Sequence, residues 1–278
     1  MPQLFERRRD MRRGHLPSIL RRMRGRSQLQ CLQVKVAALL LSCAVGLSAQ
    51  SPVSVAYDCS PKDIETFGLN CSEEEPCAVL LELTAADMAG NRILVTGNLH
   101  TGNATLFSLL LASDDGGLSW TEPAPRLRNA ALEQIEFWDP QTGWISGESI
   151  DPLTRNPFLM LTVDGGRTWR QKLLLEDEKF GTIAQFHFDS KTSGELVLDA
   201  GQGKIVRQEL YSSMTGGESW ELKQVSNRPL RLKGVRPQNQ AGWRVRADAG
   251  RGSYFVERGA GRNWEMVASF PIHVADCH

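Results

Sequence analysis

From residue 78 onward, short stretches in which hydrophobic and polar residues alternate follow one another, separated by turn residues. The clearest unit spans residues 130–175. In AALEQIEFWD, Ile135 and Phe137 alternate with polar neighbours; TGWISGE then follows a turn at Pro140, FLMLTVD comes next, and TWRQKLLL completes the set. Alternation of this kind, bounded by Gly, Pro, Asn or Asp, predicts antiparallel strands with one face buried. The same order recurs three times: in AVLLELTAAD, RILVTGNLH, TLFSLLLAS and SWTEP; in TIAQFHFDS, GELVLDA, KIVRQELYSS and SWELKQV; and in LRLKGVRP, GWRVRADA, GSYFVERG and NWEMVASFPI. Four units of four strands therefore cover residues 78–273. No stretch in that range keeps apolar residues at helical spacing, so the chain is predicted to be all-β, with helix confined to residues 60–75.

Between the third and fourth strands of each unit stands a recurring octapeptide. SDDGGLSW (Ser113–Trp120) returns as TVDGGRTW (Thr162–Trp169) and SMTGGESW (Ser213–Trp220), then fades into ERGAGRNW (Glu257–Trp264). Successive tryptophans, Trp120, Trp169, Trp220 and Trp264, are 49, 51 and 44 residues apart, a period that matches one propeller blade. The expectation is a small β-propeller of four or five four-stranded blades, each with this octapeptide as the hairpin between its third and fourth strands. The residue types suit a tight reversal tied to the blade. Gly117, Gly166, Gly217 and Gly261 permit positive φ. Asp115 and Asp164 can accept backbone amides a few residues on. The hydroxyls of Ser113, Ser119, Thr162, Thr168, Ser213 and Ser219 can bond across the turn, and each tryptophan offers a large ring to neighbouring sheets.

Charge changes the picture once it is divided along the chain. The whole sequence is formally neutral, with 32 basic and 32 acidic residues, but residues 1–49 hold ten Arg or Lys against two acids, leaving 22 basic and 30 acidic residues beyond them. An acidic remainder argues against nucleic acid as a partner. The basic start is followed by the apolar run VAALLLSCAVGL (36–47) and by Ser48-Ala49-Gln50, the order of a signal peptide with a long basic leader. That run is shorter than the ~20 residues a membrane span requires, so residues 1–49 are expected to be cleaved and the product exported, periplasmic or extracellular, with no transmembrane segment. Leu40–Cys43 loosely resembles a lipoprotein box, which makes a lipid anchor at Cys43 the alternative. Removal of the leader leaves Cys59, Cys71, Cys77 and Cys277, an even number suited to disulfides in an exported protein. Three connectivities are open, and the spacing calls for at least one bridge between the two ends. Residues 50–77 form a Cys-containing segment ahead of the repeat domain, 78–278, and the strand Phe270–Val274 with Cys277 is expected to help seal the ring.

The octapeptide pattern S/T-x-D-x-G-x-S/T-W resembles the Asp-box, or BNR repeat, of sialidases, sortilin-type receptors and photosystem II assembly-factor propellers. Its first two copies match in full, the third has Thr215 in place of Asp, and the fourth keeps Gly261 and Trp264. The Gly-Trp pairs ahead of the boxes, Gly143-Trp144 and Gly242-Trp243, make the assembly-factor type the nearest resemblance. Relatives of that kind use six or more blades, so a four-bladed ring would be small.

The resemblance implies architecture more than chemistry. Sialidase catalysis implies a tyrosine and glutamate pair beneath three arginines, whereas Tyr211 and Tyr254 fall in third strands beside boxes and Tyr57 lies before the repeats. The acids sit in turns where solvation accounts for them, and His187, in FHF, is a channel-lining or packed histidine without a nucleophile beside it. DDGG and VDGG lack the spacing of a calcium loop. No catalytic, cofactor-binding or metal-binding residue is therefore assigned. Two functions follow: an exported binding or scaffold protein that presents propeller loops such as 149–157 and 227–240 to a protein or glycan partner, resembling an assembly factor, and, as the alternative, an Asp-box glycoside hydrolase with carboxylates not identified from sequence.

Overall fold

Alternating strands with only one apolar face each must bury that face against another sheet, and the molecule does so with four antiparallel sheets. The computed structural model describes residues 51–151, 154–174, 180–235 and 242–278; the leader and Cys43 lie outside the described residues. One helix, α1 (Pro61–Phe67), begins at Ser60, whose hydroxyl and Asp63 cap each other reciprocally, and ends at Gly68. Sheet one holds β1 (Cys77–Ala89), β2 (Arg92–His100), β3 (Thr105–Ser113) and β4 (Leu127–Arg128), with β16 (His273–Cys277) added at the free edge of β1. Sheet two is β5 (Ala130–Phe137), β6 (Gly143–Asp151), β7 (Thr154–Thr162) and β8 (Arg170–Leu173). Sheet three is β9 (Thr182–Phe188), β10 (Gly194–Asp199), β11 (Gln208–Ser213) and β12 (Glu221–Ser226), and sheet four is β13 (Trp243–Asp248), β14 (Ser253–Ala260) and β15 (Asn263–Pro271). This is the small all-β propeller that the repeats lead one to expect.

Three apolar clusters hold the sheets together. One joins sheet one to sheet four through Leu81, Leu99, Val256 and Phe270, one joins sheets one and two through Leu94, Leu110, Ile145 and Phe158, and one joins sheets two and three through Trp144, Leu159, Phe186 and Phe188. Among the described residues no such cluster joins sheet three to sheet four. The turns explain the order. A Cβ added to Gly117 would lie 2.4 Å from Val267 of sheet four, and one added to Gly166 would lie 2.6 Å from Leu94 of sheet one. Each of these glycines also has φ near +96° or +75°, so it serves twice: it permits the turn and lets the turn press onto the preceding sheet. At Gly261 an added Cβ would meet nothing within 4 Å, which fits the decay of the fourth copy.

Three elements differ from expectation. The outer strand of the first unit is Leu127–Arg128 rather than SWTEP, where only Thr121 makes a bridge, to Ala112; Pro123 and Pro125 cannot donate to a ladder. LRLKGVRP is not a strand over its described part, 230–235: Leu230 and Leu232 donate their amides to Gln208 and Gln185 of sheet three, and Gly234 turns at φ +87°. Of residues 149–157, expected as a loop, the described ones, 149–151 and 154–157, continue β6 and β7, with Ser149 opposite Asn156 and Ile150 opposite Arg155. The C-terminal strand instead pairs with β1, Cys77 opposite Cys277. Disulfides join Cys59 to Cys277 and Cys71 to Cys77, so one bridge does connect the ends. No helix among the described residues is long and apolar enough to cross a membrane.

Candidate functional site

The first strand of each of the first three sheets carries a β-bulge at the same place. Thr84, Glu133 and Ala184 are the extra residues, inserted between the paired neighbours in β1, β5 and β9. A bulge re-aims the residues that follow it. Three positions further along each strand come Asp87, Glu136 and His187, and these form a chain from sheet to sheet. The Phe137 amide donates to Asp87 Oδ2 at 2.7 Å, and the Phe188 amide donates to Glu136 Oε1 at 3.3 Å. His187 Nδ1 lies 2.8 Å from Glu136 Oε1, and its Nε2 lies 3.3 Å from Asp189 Oδ1. Burial raises the Glu136 carboxyl above its ordinary range, against the opposing pull of His187.

Asp87, Glu136 and His187 line a cavity of about 240 Å³ at the ends of β1, β5 and β9, together with Gln134, Phe137, Trp138 and Phe186; Asp189 lies outside its lining. Trp138 stands at the rim with 47% of its surface exposed. The cavity combines carboxylates, one imidazole and an aromatic rim, and its lining among the described residues contains no Ser, Thr, Cys, Lys or Tyr.

A second group of acids surrounds the bulge of β5. Burial, then the nearby charges of Glu82 and Glu148, push the Glu133 carboxyl up to about 7, with Arg155 opposing. Glu148 is 5% exposed, its Oε1 is 3.5 Å from Arg155 Nε, and its Oε2 has no hydrogen-bond partner among the described residues. Neither Glu133 nor Glu148 lines the cavity beside Trp138.

The box residues are placed elsewhere, in the peripheral turns. Asp115 Oδ1 accepts the Ser113 hydroxyl and the Ser119 amide, its Oδ2 accepts the Ser119 hydroxyl at 2.6 Å, and the Gly117 amide donates to Ser113. Asp164 repeats this with Thr162, Thr168 and Gly166. In the third copy Thr215 stands in for the acid, with Ser213, Gly217 and Ser219 in the same relation. The hydrogen bonds from Ser119 hold Asp115 at about 2. For Asp164 burial works the other way, but the Thr168 hydrogen bonds outweigh it and the carboxyl is also held at about 2. Trp120, Trp169 and Trp264 donate Nε1 to the carbonyls of Gly117, Gly166 and Gly261, whereas Trp220 Nε1 is buried with no hydrogen-bond partner among the described residues. The box tryptophans are half-buried; the deeply buried indoles are Trp144 and Trp243.

Tyr211 donates its hydroxyl to Glu209 at 2.6 Å, with Arg207 on the same carboxylate. Both members of this pair are only 2% exposed, so no substrate reaches them, and burial raises the phenol well above its usual range.

No family model matches the chain, and no curated protein does. Solved structures match it weakly. A polysaccharide lyase of family PL25, an ulvan lyase, has a TM-score of 0.41 and 10% identity over 73% of this chain and 54% of its own. YCF48 bound to a D1 peptide has a TM-score of 0.35 and 19% identity over 77% and 59%. The α-L-arabinanase of Penicillium chrysogenum complexed with arabinobiose has a TM-score of 0.34 and 14% identity over 69% and 65%. This chain thus spans 54% of the length of the ulvan lyase. Scores this low carry no argument about activity, and the reading below rests on the site.

Proposed function

We propose that this chain is an Asp-box repeat propeller that is exported and acts as a binding protein, using the cavity beside Trp138 to engage a protein partner. The observation that carries the reading is the cavity itself: about 240 Å³, rimmed by a half-exposed Trp138 and floored by carboxylates already hydrogen-bonded to backbone. Small-molecule sites usually have volumes of roughly 300–1,000 Å³, so this one suits a single side chain of a partner better than a glycan chain. Three turns with the same hydrogen-bond pattern support the Asp-box assignment. Two disulfides, one spanning 218 residues, support export.

The test is affinity capture of tagged protein from the envelope or secreted fraction of its host. W138A is expected to lose the principal partner, whereas L118A, which removes an exposed apolar side chain from the first box, is expected to retain it. An unchanged set of partners in W138A would count against this face.

One observation favours catalysis. Glu133, with a carboxyl pushed up to about 7 beside the buried Glu148, has the character of a general acid, and glycoside hydrolysis needs two such carboxylates in defined separation. The bulge that places Glu133 is shared by Thr84 and Ala184, neither of which ionises, so the bulge belongs to the blades and the acid is the variable part.

A further inference from the structure

We infer that Glu133 is a proton-operated joint between sheets one and two: with a proton bound it lets the first strands of the two sheets close on each other, and with the proton released it loosens them. The device belongs to the free chain and is independent of the binding reading above.

The joint is built around Leu132, the residue before the bulge of β5. The Leu132 amide donates to Asn98 Oδ1 at 2.9 Å, and its carbonyl accepts Asn98 Nδ2 at 3.2 Å and the Thr84 hydroxyl at 2.9 Å. Asn98 is 2% exposed, so sheet one holds β5 through a buried polar contact made by both β1 and β2. Glu133, the extra residue of β5, comes directly after this clamp. Glu82 stands opposite Asn98 in the pairing of β1 with β2, on the face from which Asn98 reaches Leu132. Glu148 stands opposite Ala131 in the pairing of β5 with β6. Glu133 is thus held in its bulge with one acid of sheet one and one of sheet two beside it.

The charges acting on Glu133 are Glu82 from β1, Glu148 from β6 and Arg155 from β7. Strand β2 contributes the uncharged Asn98, and β9 contributes the carbonyls of Ile183 and Ala184, which accept the neighbouring Gln134 side chain. Three carboxylates therefore share one guanidinium. That guanidinium is mostly exposed and lies 3.5 Å from Glu148, so it compensates weakly. Glu148 is deeply buried, and its Oε2 has no hydrogen-bond partner among the described residues. Carboxylates withdrawn from water with so little compensation favour a neutral carboxyl among them, and burial with the two neighbouring acids makes Glu133 that group, its carboxyl pushed up to about 7.

The direction of the effect follows. A carboxyl raised from an ordinary value of 4.5 to about 7 is protonated more readily in the folded chain than in the unfolded one. Its contribution to stability is complete below 4.5 and is lost as pH rises through about 7. Above that point Glu82 of sheet one and Glu133 and Glu148 of sheet two repel one another across the seam that Asn98 and Thr84 hold closed.

The test is urea unfolding of the protein, without ligand, at pH 6 and pH 8, alongside E133Q, which mimics the neutral carboxyl at both. Between these pH values the unfolding constant of the wild type is expected to rise about five- to tenfold more than that of E133Q. Hydrogen exchange at the Leu132 amide should show less protection in the wild type than in E133Q at pH 8 and equal protection at pH 6. Two variants that keep Glu133 extend the test should E133Q fail to fold: E82Q removes a like charge and should lower the pH at which the Glu133 side-chain carboxyl resonance titrates, whereas R155Q removes the opposing cation and should raise it. Parallel stability profiles for wild type and E133Q, or a Glu133 resonance that titrates in the ordinary range and ignores both variants, would overturn the inference. A pH effect on stability that leaves Leu132 exchange unchanged would overturn it too, since the proton would then act somewhere other than the joint.

Discussion

Trp144→Ala is expected to destabilise the protein by about 3–5 kcal/mol, the range for removing a large ring from a core. Trp144 lies on β6 with 1% of its surface exposed. Its ring stacks on Phe188 of sheet three at 3.6 Å between centroids and 2° between planes. Its Nε1 also donates to the carbonyl of Gly216, in the turn of the third box, at 2.8 Å. One residue therefore joins sheet two to the strand and to the turn of sheet three. Alanine would open a cavity at the centre of the cluster and leave the Gly216 carbonyl without its donor. Trp144→Phe keeps a ring and loses only the hydrogen bond, so its cost should be nearer 1 kcal/mol. Urea unfolding of both variants checks the ranking; a cost of Trp144→Ala below about 1 kcal/mol would show that the contact between sheets two and three lies elsewhere.

The second large effect belongs to the bridge between the ends. Cys59–Cys277 closes a loop of 218 residues, and Cys71–Cys77 closes one of 6. Loop-closure entropy assigns roughly 5 kcal/mol to the first and roughly 2 kcal/mol to the second. The long bridge also anchors β16, whose pairing with β1 covers the edge that β1 would otherwise expose. C59S/C277S should accordingly unfold at a much lower denaturant concentration than C71S/C77S, and amide exchange in Ala78–Leu80 should rise with it. If the double variant of the short bridge is the less stable one, closure of the long loop is not what holds the ends.

Much of this architecture was legible because the boxes mark phase. Strands β5 to β8 and β9 to β12 fall where alternation and turn residues put them. What alternation could not reveal follows from the bulges: an extra residue at Thr84, Glu133 and Ala184 shifts register by one, so a strict two-residue period mis-aims everything after it. The cavity acids were missed for that reason. A signal was present nonetheless, since Asp87, Glu136 and His187 each precede the first residue of their box, Ser113, Thr162 and Ser213, by 26 positions. Aligning the repeats on the boxes, rather than reading each strand alone, would have grouped them. The fourth unit gave no such guide: its box has decayed to Gly261 and Trp264, and the segment expected as its leading strand, which follows Pro229, carries Gly234 at positive φ. Pairing of β16 with β1 depends on contact between the two ends of the domain, which no local pattern records.

The box carboxylates are engaged within their own turns, and the proposed site lies instead at the first strands of the sheets. Turnover is where that account is most exposed. The measurement is hydrolysis of a panel of fluorogenic glycosides and polysaccharides by the mature chain, alongside E133Q. The account predicts no release above background from either protein, while W138A still governs partner capture; release by the wild type that E133Q abolishes would contradict it and make Glu133 a catalytic acid.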